Sequence, residues 1–131
     1  MKNCLFCDFV DDEMGSVIFE NELCVCIEQR DDVLKGWCMI IPKRHCENPF
    51  EMTDAEWVSM KQLMDKAKEH LDIKFRPDGY NVGWNIGAVG GQHIFHAHMH
   101  ILARYKDEPL AGRGFRYFIR ESASKRPLAK H

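Results

Sequence analysis

No stretch of this chain approaches the roughly eighteen uninterrupted apolar residues of a membrane-spanning helix, and Met1-Lys2-Asn3-Cys4 lacks the apolar core of a secretion signal. A cytoplasmic location with no membrane partner is the expectation. An excess of one charge is missing too: 18 Lys and Arg stand against 20 Asp and Glu, a formal net charge of -2. That balance gives no electrostatic case for nucleic acid as the main partner and leaves small ligands open. Repeats, linkers and low-complexity segments are absent, and 45% apolar with 29% charged residues excludes a disordered chain. The 131 residues suit one domain, 1–131. Without a secretion signal, the six cysteines read as reduced thiols, some of them metal ligands, in preference to disulfides.

Val17-Ile18-Phe19, Leu23 to Ile27 and Trp37 to Ile41 read as strands; the first two form a hairpin through Asn21 and the third stops at Pro42. A helix is expected from near Thr53, with Glu56 completing a capping box. Trp57, Met60, Met64, Ala67 and Leu71 follow at helical spacing as a core-facing stripe. After the Arg76 to Gly79 turn come a fourth strand over 80–86 and a fifth, the longest, over 93–103. Beyond Tyr105 the basic, glycine-bearing tail reads as a loop with a short helical turn. The fold class is α+β: an antiparallel five-stranded sheet with one main helix.

His96, His98 and His100 stand at two-residue spacing, so strand alternation sets them on one face and Phe95, Ala97, Met99 and Ile101 on the other, toward the helix. A rise of roughly 3.3 Å per residue separates neighbouring imidazoles by about 6.6 to 7 Å, too far for the rings to pack. Imidazole titrates near neutrality and serves as nucleophile, proton shuttle or metal ligand. A lone histidine is usually a surface residue. Three in register behind the glycine-rich segment Gly87 to Gly91, whose amides can converge on phosphate oxygens, point to phosphate held beside a nucleophile.

The run from His96 to Leu102, with Asn85-Ile86-Gly87, the Gly91-Gln92 turn, the segment from Gly36 to Ile41-Pro42-Lys43 and the single helix, resembles the histidine triad family, in its zinc-bearing bacterial-type branch. The resemblance covers about residues 4–105 and leaves 106–131 as a tail. It implies the histidine triad fold, a homodimer with a sheet continuous across the interface, and a hydrolase attacking an adenosine nucleotide at its α-phosphate through a nucleotidyl-histidine intermediate. Diadenosine tetraphosphate is the implied kind of substrate; an adenosine phosphoramidate hydrolase and a non-catalytic nucleotide-binding protein are the alternatives. By the same resemblance His98 is the nucleophile and His100 contacts the phosphate and helps the leaving group. Asn85 meets ribose or phosphate, and the Gly91 and Gln92 amides cradle phosphate.

Cys4-x-x-Cys7 has the spacing of half a tetrahedral zinc site, with free thiols as the alternative. The resemblance completes a structural zinc site with His45 and His96. His93 stands where the family commonly has a small hydroxyl residue; alternation turns it away from His96, whereas a place in the turn would bring it to phosphate or metal. Glu28, or Gln29 across a one-residue gap, takes the place of the family's ribose-binding Asp. Trp37 replaces a frequent histidine, its indole available to wall the pocket. Cys24, Cys26, Cys38 and Cys46 read as small core residues, and His70 and His131 as solvated. Arg104, Arg113, Arg116 and Arg120 read as a solvated cationic face, with phosphate contact as the alternative.

Overall fold

Apolar alternation builds five strands: β1 (Gly15–Glu20), β2 (Cys24–Gln29), β3 (Trp37–Pro42), β4 (Gly79–Gly83) and β5 (Met99–Arg104). They form one sheet in the order β1-β2-β3-β5-β4, with every neighbouring pair antiparallel. The computed structural model describes residues 4–13 and 15–123, so Met1 to Asn3 and His131 lie outside the described residues. Among the described residues no helix is long and apolar enough to cross a membrane.

Helix α1 (Asp54–Phe75) starts as expected: the Thr53 hydroxyl accepts the Glu56 N–H and the Glu56 carboxylate accepts the Thr53 N–H. It stops at Arg76, which adopts the left-handed conformation with φ 51 directly before Pro77. Met60, Leu63, Ala67 and Leu71 press onto one sheet face against Cys24, Cys26, Cys38, Ile40, Ala97, Met99 and Ile101. Trp57 departs from the expected stripe: it is 42% exposed and lies edge-on to Trp84, because the buried face runs through Glu56, Ser59, Met60, Leu63, Ala67 and Leu71 and leaves Trp57 to one side.

The opposite face carries Phe6, Ile27, Met39 and Ile41, covered by the N-terminal segment and Ile94. In the β3–β5 register Met39 lies opposite His100 and Cys38 opposite Ile101, so the histidines share the face of Met39. Several expectations change here. Strand β5 begins only at Met99, and residues 94–96 form a bend ahead of it. The chain is extended enough from His96 onward to keep alternation, but Phe95 falls outside it and is 45% exposed. Strand β4 ends at Gly83, and the tail forms a helix, α2 (Phe115–Ala123), longer than a turn.

Candidate functional site

The Cys4 to Cys7 turn packs on the face of the inner strands β2 and β3, and its Cys7 N–H points at Cys4 Sγ (3.4 Å). His45, just past the Pro42 end of β3, brings Nδ1 to 3.3 Å from Cys7 Sγ. His96 Nδ1 lies 3.4 Å from Cys4 Sγ and 3.5 Å from Cys7 Sγ. One donor atom from each of Cys4, Cys7, His45 and His96 falls within 4.8 Å of the others. Around a tetrahedral metal with bonds of about 2.0 to 2.3 Å, nitrogen and sulfur ligands stand roughly 3.6 Å apart, so the set fits. The fit extends outward: the fully buried His96 donates Nε2–H to the Pro42 carbonyl (2.7 Å), which keeps the Nδ1 lone pair for the metal. Burial, then the hydrogen bond and charge of Cys4, push the Cys7 thiol up. Cys46 is buried in the helix-side core, outside the cluster.

Two residues on, His98 is buried with Phe6 edge-on at 4.9 Å between ring centroids. Its Nδ1 is 2.7 Å from the His96 carbonyl oxygen. A carbonyl only accepts, so Nδ1 carries the proton and Nε2 keeps a lone pair. Burial lowers the affinity of His98 for a second proton, and the ring is neutral at neutral pH. His100 packs edge-on against His98 at 4.9 Å, nearer than the backbone spacing predicts, because the two rings tilt together. Trp37 donates its indole N–H to His100 Nδ1 (3.1 Å) with the rings stacked at 29°. Burial, then the neighbouring His98, pushes His100 down to about 4. Its Nε2 is buried and has no hydrogen-bond partner among the described residues.

The glycine turn works differently from the expected cradle. The Gly90 and Gly91 N–H groups donate to the Gly87 and Ala88 carbonyls, and Gln92 N–H donates to Gly87, so these amides are spent inside the turn. The Gln92 carboxamide is buried and spent as well: it accepts from Gly87 N–H and donates to the Glu47 and Ile94 carbonyls. Gly91, at φ +96, lies against the Asn85 side chain, which is exposed at the turn. His93 is exposed and outside the metal cluster. The structure does not bring Glu28 to the histidine face. Its parity in β2 follows Cys24 and Cys26 toward α1, where its carboxylate meets His70 Nε2 (2.9 Å) and Lys74 Nζ (3.0 Å). Gln29, of opposite parity, shares the face of Ile27. His70 is thus a hydrogen-bond partner of Glu28 and not a freely solvated ring.

The HIT domain model matches residues 12–107. The chain belongs to the HIT family. Protein hit of Bacillus subtilis is 34% identical over 105 residues, covering 79% of this chain and 72% of its own. The adenosine 5'-monophosphoramidase hnt1 of Schizosaccharomyces pombe is 27% identical over 114 residues, covering 86% of this chain and 83% of its own. The crystal structure of a HIT family member from Bacillus subtilis matches with a TM-score of 0.71 at 28% identity, covering 99% of this chain and 100% of that one.

Within this HIT domain, sequence reasoning missed the Trp37–His100 bond and the Glu28–His70–Lys74 cluster. Both follow from parity once the pairing is known: Trp37 sits two residues before Met39, on the same face, and Glu28 two after Cys26.

Proposed function

We propose that this chain is a nucleotide hydrolase working through a nucleotidyl intermediate on His98, with a dinucleoside polyphosphate of the diadenosine tetraphosphate type as substrate. The hydrogen bond from His98 Nδ1 to the His96 carbonyl carries the proposal, because it leaves Nε2 as the free lone pair of a neutral, buried imidazole. In the first step Nε2 bonds to the α-phosphorus while the bond from phosphorus to the bridging oxygen breaks, and the leaving nucleotide departs with that electron pair. In the second, a water oxygen bonds to phosphorus as the P–Nε2 bond breaks; nucleoside monophosphate and a proton are released and neutral His98 is restored. His100 offers Nε2–H to a phosphate oxygen as charge develops. Asn85 and the exposed His93 flank the turn as nucleotide contacts, with Gln29 in place of Glu28 at the ribose.

The metal we assign is zinc, whose preference for four tetrahedral Cys and His ligands matches the set. With all four positions taken by protein, its contribution is a cross-link that ties the N-terminal turn and the end of β3 to the segment leading into β5. We further propose one cytoplasmic domain over 1–131, assembled as a homodimer through a sheet edge.

The Schizosaccharomyces pombe relative, an adenosine 5'-monophosphoramidase, favours adenosine phosphoramidate as the second substrate class. Parallel assays of AMP release from diadenosine tetraphosphate and adenosine phosphoramidate, with parent and His98→Ala, test both. Release from the first by the parent alone supports the proposal. Release from the second alone reassigns the substrate, and equal release by parent and variant removes His98 from the chemistry.

A further inference from the structure

Trp37 opens β3 directly after Gly36, whose φ of +91 and close approach to Ala103 (an added Cβ would sit 2.8 Å from the Ala103 Cβ) suit only glycine. The Gly36 carbonyl accepts the Ala103 N–H (2.8 Å), so the backbone ahead of the indole is tied to β5, and Trp37 pairs with Leu102, a diagonal step from His100. The indole then stacks on the His100 ring at a centroid separation of 5.9 Å and aims Nε1–H at Nδ1 from 3.1 Å.

An indole N–H donates and never accepts. His100 Nδ1 must therefore be the acceptor, and in the neutral ring the one proton is at Nε2. That atom is buried without a partner among the described residues, a state that costs free energy until an acceptor arrives. A histidine at position 37 could donate or accept according to its own tautomer, and would leave His100 free to switch. Tryptophan permits one arrangement only. We propose that Trp37 is a positioning residue: its indole N–H locks His100 in the Nε2–H tautomer and presents that ring as a fixed hydrogen-bond donor to a phosphate oxygen bound beside His98. The role assigned to the phosphate oxygen rests on the proposed function; the tautomer lock stands on geometry alone.

The test is long-range 1H–15N NMR of protein labelled with 15N-histidine, at neutral pH, on the parent, Trp37→Phe and Trp37→His, alongside initial rates with diadenosine tetraphosphate. Trp37→Phe keeps an aromatic ring and removes the donor; Trp37→His restores one. The parent is expected to show His100 solely as Nε2–H, and Trp37→Phe a mixture of tautomers. Its kcat should fall about two- to tenfold, the worth of one neutral hydrogen bond, with KM little changed. Trp37→His, whose ring donates in only one of its tautomers, should leave His100 a mixture and recover part of that loss, which a purely space-filling role would not explain. An unchanged His100 tautomer in Trp37→Phe overturns the proposal, as does a mixed tautomer with unchanged kcat. If the parent turns over no nucleotide, the proposed reaction fails separately; AMP titration then decides, a shift of the His100 Nε2–H resonance supporting the donor role and no shift overturning it.

Discussion

On the helix face of the sheet, Glu28 is buried yet complete. Burial alone would raise its carboxyl, but hydrogen bonds and charges from His70 and Lys74 outweigh that and hold it below the usual range. On the opposite face, His98 keeps an unshared lone pair at Nε2 and His100 a buried Nε2–H with no acceptor among the described residues. Both faces bury polar side chains, and among the described residues only the second leaves a buried side-chain nitrogen, His100 Nε2, unmatched. A buried polar atom without a partner costs about 1 to 3 kcal/mol, so a fold that tolerates it there, while satisfying Glu28 on the other face of the same sheet, reserves that side for a ligand.

The contrast breaks most sharply under substitution. His98→Ala should lower turnover about a thousandfold or more, far beyond the modest drop in melting temperature expected from losing one buried ring packed on Phe6. Cys4→Ala should bring down melting temperature and bound metal together, by several kcal/mol of stability if the metal cross-links the folded state only, with smaller effect on the chemistry of molecules that stay folded. Metal analysis after purification without chelators, beside thermal melts, checks this. Leu63→Ala, on the helix face, should cost about 2 to 5 kcal/mol in denaturant titrations and leave kcat per folded molecule unaltered.

Smaller changes sharpen the same comparison. Glu28→Gln should lower stability by about 1 to 3 kcal/mol without weakening AMP binding. A loss of AMP affinity with no loss of stability would return Glu28 to the ribose pocket. A change of pH tests the same pair of faces without a substitution. His100 is pushed from 6.5 to about 4, so between those values the unfolded chain binds more protons than the folded one, and stability falls as the solution is acidified. The lowered Glu28 carboxyl acts in the same direction at lower pH. Thermal melts across this window should be flatter for His100→Gln than for the parent.

Much of this was legible in the sequence because it depends on local periodicity. The Thr53–Glu56 cap located the helix, and two-residue spacing put His96, His98 and His100 together even though β5 starts only at Met99. The pair Cys4 and Cys7 found His45 and His96 through the family resemblance, and the structure brings all four together. What failed depended on hydrogen-bond directions and strand register that periodicity does not carry. Glycines at 87, 90 and 91 foretold a turn but not that its amides would bond to the turn's own carbonyls. Glu28 and Gln29 differ by one residue and hence by one face, and only the register with β3 decides between them. Trp57 fits the helical period as well as Leu63 does, but only the position of the sheet tells which is covered.

In the proposed reaction His98 Nε2 becomes bonded to phosphorus. Intact-protein mass spectrometry after a brief, acid-free quench with diadenosine tetraphosphate tests it directly, with His98→Ala treated alongside. One added adenylyl group on the parent, absent from the variant, is the predicted result. The same adduct on the variant, or turnover by the parent with no adduct at any quench time, would contradict it.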